Sequence, residues 1–141
     1  ELSATIGLVQ LGRIEELLQN RAQVAAWYQQ RLSEIPGVEV PQVNSTTTRM
    51  SWFVYVVRFA PELERDEIAK KLGENGIPAR PYFLPIHLQP YMMERFGYRI
   101  GDFPITEDLG RRGLALPFSG VMSEEQVDYV CRQIKDIISA S

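Results

Sequence analysis

The first 35 residues carry the pattern that most restricts the fold, because apolar side chains recur there at helical spacing over an unusual length. The stretch ELSATIGLVQLGRIEELLQNRAQVAAWYQQRLSEIPG ends at Pro36-Gly37, a pair that stops a helix. A continuous helix over residues 1–34 would extend for about 50 Å. A compact chain of 141 residues has a diameter of only about 37 Å. We therefore expect this helix to overhang the domain or to bend near Gly12.

The apolar side chains at the start of this helix need a covering surface. Leu2, Ile6 and Val9 fall on the part that would overhang, where the rest of the chain cannot easily cover them. The sequence also lacks an initiator Met. We expect the chain to be part of a longer protein, or to use this helix as a subunit contact.

Four short segments have the composition of strands. MSWFVYVVRF, at 50–59, is the strongest, because β-branched and aromatic residues fill both alternating faces, as in a central strand. VEV at 38–40 predicts a shorter strand, and LALP at 114–117 a short strand or an extended link. IPARPYF at 77–83 is extended, but Pro78 and Pro81 lack backbone donors, so it is expected to form an edge strand or a strand-like loop.

Two helices are predicted on either side of this edge strand. ELERDEIAKKLGENG places apolar residues on one helical side and ends at Asn75-Gly76, which supplies a left-handed stop. Pro90 can open a short helix that Gly97 ends.

Two further helices complete the chain. Thr106 can cap a helix running to about Arg112. SEEQVDYVCRQIKDII begins with Ser123 and Gln126 at the spacing of a capping box. The order of elements predicts a single mixed α/β domain over 1–141, of the α+β kind: a small, mostly antiparallel sheet covered by helices. In this domain 1–35 form the long N-terminal connecting helix and 36–141 an α/β sandwich.

Composition excludes several functions. A net charge of −3 without a basic run argues against nucleic-acid binding. We expect the pairs Lys70-Lys71 and Arg111-Arg112 to lie on solvated helix faces. No apolar run reaches the roughly 20 residues that cross a bilayer, so a cytoplasmic protein is expected. Cys131 is the sole cysteine, which excludes an intramolecular disulfide and a multi-cysteine metal site, and it falls in the apolar stripe of the last helix.

The segment RPYFLPIHLQP, at 80–90, concentrates the candidate binding residues. Its prolines hold Arg80, Tyr82, Phe83 and His87 in a stiff, extended frame. The two aromatic rings could stack on a sugar or base, the guanidinium could bind phosphate or carboxylate, and the imidazole could hydrogen-bond. The alternative is a proline-rich corner in which His87 is a satisfied core histidine. Residue types alone favour this corner.

Several stretches, in their order along the chain, resemble the C-terminal part of the DegT-type sugar aminotransferases. They are ELSATIGLVQLGRIEELLQNR, SWFVYVVRF, GIPARPYFLPIHLQPYMMERFGYRIGDFP and LALPFSGVMSEEQVDYV. Members are fold-type-I enzymes that use pyridoxal phosphate to transfer an amino group, usually from glutamate, to a nucleotide-linked keto sugar. Such sugars serve polysaccharide or antibiotic biosynthesis. The resemblance implies the small C-terminal domain of an enzyme that works as a homodimer with shared active sites.

The resemblance also implies where the catalytic residues are. The cofactor lysine of the family lies in the region that precedes this one, and none of Lys70, Lys71 and Lys135 matches its position. We therefore expect no catalytic residue in this chain, no pyridoxal phosphate bound to it, and no activity of the chain alone.

The resemblance gives the segment at 80–90 a role in the substrate pocket. Tyr82-Phe83 stand where many relatives have a His-Tyr pair near the nucleotide sugar, so a hydroxyl is lost at Phe83. His87 matches a position expected at the pocket wall or the subunit interface. Arg80 matches a common arginine whose partner is either the substrate or an acidic side chain.

Two other functions remain open from the sequence. A pyridoxal-phosphate-dependent sugar dehydratase of the same family uses a histidine in place of the lysine. A binding or assembly module without chemistry is the second alternative.

Overall fold

The computed structural model describes residues 1–140 and, over that range, contains six α-helices and four strands. The helices are α1 (Leu2–Gly12), α2 (Ile14–Leu32), α3 (Arg65–Glu74), α4 (Pro90–Phe96), α5 (Pro104–Arg112) and α6 (Glu124–Ser139). The strands are β1 (Val38–Glu39), β2 (Tyr55–Phe59), β3 (Arg80–Pro81) and β4 (Gly113–Leu116), and a 3₁₀ turn spans Ile86–Leu88.

The strands form one antiparallel sheet in the order β1-β2-β4-β3. Val38 pairs with Phe59 between β1 and β2, and Tyr55 pairs with Leu116 between β2 and β4. β3 pairs only with β4 and lies at the edge, where the missing donor of Pro81 costs little. The predicted fold class is confirmed, and β2 is a central strand as its composition indicates.

The core lies between one face of the sheet and three helices. Alternate residues of β2 point to this face, so that Tyr55, Val57 and Phe59 are fully buried. The ring of Tyr28 on α2 stacks on Tyr55 with 5.0 Å between centroids. Its hydroxyl donates to the Pro117 carbonyl oxygen at 2.7 Å, which joins α2 to the end of β4. Helices α3 and α6 complete this layer with Ile68, Leu72, Val127, Val130, Cys131, Ile134 and Ile137.

The long N-terminal helical pattern forms two helices. Arg13, with φ at −111°, separates α1 from α2, so the helix is interrupted beside Gly12, where a bend is expected. Helix α1 has no buried residue, although it is apolar on all sides. Its side chains Leu2, Ile6, Leu8, Val9 and Leu11 are 58–81% exposed. A helix of this composition is normally buried against another surface.

The strand predicted over 50–59 is shorter than expected. Only Tyr55–Phe59 pair in the sheet. Trp52 has φ at 48°, in the left-handed region, which turns the backbone before the strand begins. Its ring still stacks on Tyr55 at 5.7 Å, so the apolar composition of 50–54 reflects core packing as well as strand formation.

Two expectations for α5 are wrong. The helix begins at Pro104, so Thr106 lies inside it and is not the cap. Proline is suited to the first position because its missing N–H would have no helical partner there. Arg112 was expected on a solvated face, but it is buried and its Nη1 donates to the Phe59 carbonyl oxygen at 2.6 Å. Sequence spacing could not indicate this bond, because its acceptor belongs to a strand 53 residues away.

The local helix signals in the rest of the chain are confirmed. Ser123 and Gln126 form the reciprocal capping box of α6, and the chain turns through a positive φ at Gly76 after α3 and at Gly97 after α4. Cys131 is buried, and this burial raises the pKa of its thiol to about 12. Over residues 1–140, no helix is long and apolar enough to cross a membrane, and no group of acidic, His and Cys side chains could hold a metal ion.

Candidate functional site

The segment Tyr82–Ile86 leaves the edge strand β3 and runs over the face of the sheet opposite the core. Residues 82–85 have no regular secondary structure, Ile86 begins the 3₁₀ turn, and Pro81 and Pro85 fix φ directly before and within the segment. Tyr82 is 40% exposed and Phe83 70% exposed. Their rings contact each other with centroids 4.4 Å apart. The segment therefore presents two adjacent aromatic side chains to the surface, which we call the aromatic wall.

A groove of about 620 Å³ lies between this wall and the sheet. This volume is within the range of about 300–1,000 Å³ usual for small-molecule sites. The opposite side is formed by residues 39–42 and the outer face of β2, and helix α5 closes the floor. Apolar side chains that line it include Val40, Val56, Leu84, Pro85, Ile86 and Leu109.

A pair of opposite charges borders the groove on the strand side. Arg58 Nε donates to Glu39 Oε2 at 3.0 Å, and both residues line the groove. This hydrogen bond from Arg58, more than a second one from Arg112, lowers the pKa of Glu39. The carboxylate therefore stays ionised and holds the guanidinium in place. A ligand with one apolar ring and one charged group would meet complementary surfaces here.

His87 follows the aromatic wall in the chain and does not line the groove. Its side chain is 7% exposed, and Nε2 donates to Glu107 Oε1 at 2.9 Å, since an ionised carboxylate only accepts. The imidazole packs edge-on against Phe103 with centroids 4.8 Å apart. His87 is thus a satisfied, buried histidine in this domain, as the residue types favour.

Glu107 joins three parts of the structure. Besides His87, its carboxylate accepts from the backbone N–H of Gly101 at 2.9 Å and of Phe103 at 3.3 Å. The hydrogen bond from His87, followed by those from the two backbone groups, lowers the pKa of Glu107 below its usual value of 4.5. The ionised carboxylate is therefore the form that holds the turn before α5 together.

This lowered pKa predicts a pH-dependent contribution to stability. Above the ordinary pKa of 4.5 the carboxylate stabilises the folded state fully, and this stabilisation is lost as the pH falls through the lower, folded-state pKa. The wild type should therefore be more stable than E107Q at neutral pH, and the difference should shrink below about pH 4.5. Urea unfolding of both proteins between pH 6 and pH 3, at steps of about half a pH unit, measures this difference in the free energy of unfolding. A difference that stays constant to pH 3 would contradict the prediction.

The four candidate residues do not converge on one point. Tyr82 and Phe83 form the wall of the groove, His87 is buried against Glu107, and Arg80 is exposed on β3 outside the groove lining. The sequence did not identify Glu107 or Arg58. An acidic residue in the first turn of a helix is a signal that could have found Glu107, but Thr106 was assigned as the cap instead.

The sequence and the fold of this chain match known aminotransferases. The structure superimposes on the aminotransferase TlmJ from Streptoalloteichus hindustanus with a TM-score of 0.84 and 28% sequence identity, over 97% of this chain and 36% of that one. The chain belongs to the DegT/DnrJ/EryC1/StrS aminotransferase family, which it matches over residues 1–135. The family resemblance found in the sequence is confirmed, and the full-length members are pyridoxal-phosphate-dependent enzymes.

Two curated relatives extend the comparison. The chain is 32% identical to the spore coat polysaccharide biosynthesis protein SpsC of Bacillus subtilis over 145 aligned positions, which cover all of this chain. It is 34% identical to the GDP-perosamine synthase of Caulobacter vibrioides over 140 positions, which cover 97% of this chain. In both cases it spans only 37% of the relative's length.

Proposed function

We propose that this chain is the C-terminal domain of an enzyme that transfers an amino group from glutamate to a nucleotide-linked keto sugar. The product would serve polysaccharide or antibiotic sugar biosynthesis in the cytoplasm. The observation that carries the proposal is the aromatic wall of Tyr82 and Phe83 over an open groove, in a chain of this aminotransferase family. Full-length relatives with names such as GDP-perosamine synthase support a nucleotide sugar as substrate.

The wall has the chemistry needed to bind a nucleotide sugar. Aromatic rings stack on the apolar faces of sugars and bases, and the Tyr82 hydroxyl can hydrogen-bond to a sugar hydroxyl. The rigid proline frame lowers the conformational entropy lost on binding. Arg80, exposed beside this segment, can bind a phosphate bidentately. His87 contributes by holding the wall in place.

The cofactor of this enzyme would be held mainly by another part of the full-length protein. Pyridoxal phosphate acts as an electron sink and is attached through a lysine, which must be desolvated or flanked by cations to react. Lys70 and Lys135 are exposed on α3 and α6, and Lys71 is partly exposed on α3. These three do not fit the role, so the 141-residue chain should not bind the cofactor. Its titration with pyridoxal phosphate should give no imine absorption band; stoichiometric binding at one lysine would refute this.

The exposed helix α1 supports a homodimeric enzyme. Its apolar side chains, with exposures of 58–81%, are the kind of surface that is covered in an assembly. Covering by a second subunit or by the remainder of the enzyme would remove this apolar surface from water.

The reaction can be tested with the full-length enzyme, glutamate and a set of nucleotide-linked keto sugars. One 2-oxoglutarate should form for each amino sugar, because transamination moves the amino group without loss. Loss of a sugar hydroxyl without stoichiometric 2-oxoglutarate would indicate the dehydratase instead. Absence of any sugar turnover or binding across the set would indicate an assembly module.

A further inference from the structure

The segment that follows the aromatic wall is attached to helix α5 at two points. The first is the contact between Pro85 and Gly110. A Cβ added at Gly110 would lie 2.8 Å from Pro85 Cδ and 2.9 Å from Pro85 Cγ, and 3.6 Å from the carbonyl oxygen of Phe83. Glycine is unfavourable within a helix compared with alanine. The close approach of Pro85 gives a reason for glycine at position 110. Any side chain at this position would require the proline ring to shift.

The second attachment is the hydrogen bond from His87 to Glu107. Glu107 and Gly110 are three residues apart in α5 and therefore share one face of the helix. The proline ring and the imidazole, two residues apart in the segment, contact this same face. The backbone that carries Tyr82 and Phe83 thus leads directly into a short stretch that is fixed twice.

Helix α5 is in turn fixed to the sheet, so the wall has a defined distance from the strand side of the groove. Arg112 donates to the Phe59 carbonyl oxygen at 2.6 Å and to Asp108 Oδ1 at 2.8 Å. It also donates to Glu39 at 3.2 Å, and Glu39 lines the opposite side of the groove. The contacts run continuously from the sheet through α5 to the aromatic wall.

We propose that Gly110 and Glu107 are positioning residues that set the width of the groove and so select which nucleotide-linked sugar fits. This inference rests on the proposed function. Gly110 acts by letting Pro85 approach α5, and Glu107 acts by holding His87. Neither residue transfers a proton or a group in the reaction; both act through the placement of Tyr82 and Phe83.

The variant G110A tests this inference in two independent ways. Carbon atoms prefer separations of about 3.5–4.0 Å, so in a crystal structure of G110A Pro85 should recede from α5 by about 0.7 Å, with the wall following. In the full-length enzyme the KM for the sugar acceptor should rise by about tenfold, because sub-ångström misplacement of binding groups is costly. The rate of the half-reaction with the amino donor should not change.

The matched control is G73A. Gly73 is also helical, in α3, but no atom lies within 4 Å of its added Cβ. This variant should leave both the wall and the acceptor KM as in the wild type. Equal effects of G73A and G110A on the acceptor KM would overturn the inference, as would an unmoved wall in the G110A structure.

Variants of Glu107 separate positioning from general loss of structure. E107Q keeps an oxygen that can accept from His87, whereas E107A removes it. The acceptor KM should rise in E107A and return toward the wild-type value in E107Q; equal KM values in the two variants would overturn the role of Glu107. If the wild type aminates no keto sugar, the proposed function fails, and the position of the wall in the G110A structure still decides whether Gly110 sets the groove width.

Discussion

Replacing Tyr28 with alanine should lower the free energy of unfolding by about 4 kcal/mol, as expected for the loss of a large aromatic side chain from a packed core. Tyr28 is fully buried and stacks on Tyr55, and its hydroxyl links α2 to Pro117 after β4. The truncation would remove both the ring contact and this link. Urea unfolding followed by circular dichroism measures the change.

Y28F is the matched control for the hydroxyl. It keeps the ring and leaves the Pro117 carbonyl without its donor, so it should cost about 1 kcal/mol. F53A is the control for aromatic truncation at the surface, since Phe53 is 74% exposed, and should change stability by less than about 0.5 kcal/mol. A Y28A protein as stable as Y28F would show that the ring contributes nothing to the core.

Replacing Tyr82 should lower activity with little effect on stability, whereas replacing His87 should lower stability and, like E107A, also raise the acceptor KM. Y82A removes a side chain that is 40% exposed at the groove, so turnover of the sugar should fall at least about tenfold while stability changes by less than about 0.5 kcal/mol. H87A removes a buried ring and its bond to Glu107, which should lower stability by about 2 kcal/mol. Turnover per folded molecule, combined with urea unfolding, separates the two effects.

H87Q is the conservative control for H87A, because the glutamine amide can still donate toward Glu107. It should recover part of the stability that H87A loses. If Y82A is as unstable as H87A and retains wild-type turnover per folded molecule, the segment at 80–90 is only a structural corner. The sequence predicts that both side chains act at the pocket, whereas in the structure Tyr82 lines the groove and His87 is buried beside Glu107.

Sequence reasoning found the elements whose formation depends on residues close together in the chain. The capping box depends on Ser123 and Gln126 within one helical turn, and the edge position of β3 depends on the missing donor of Pro81. The errors have non-local causes. The pair Arg111-Arg112 predicts a solvated helix face, but the acceptor of Arg112 is Phe59, in a strand that precedes it by 53 residues.

The candidate site shows the same contrast between local features and contacts made only in the tertiary structure. The sequence contains the aromatic pair, the prolines that stiffen it and the family resemblance, so Tyr82, Phe83, His87 and Arg80 could be named as candidates. It could not place them relative to α5. The turn from β3 into the 3₁₀ segment brings His87 to Glu107, 20 residues away, and Pro85 to Gly110.

The sequence by itself therefore determined the helices, the central and edge strands, the family and the residue types of the candidate pocket, since periodicity, caps and prolines act within a few residues. Only the tertiary structure decided that His87 is buried, that Arg112 binds a strand carbonyl and that Gly110 receives the Pro85 ring. These contacts join segments far apart in the chain. Their partners are selected by how the helices and the sheet pack, which no local pattern specifies.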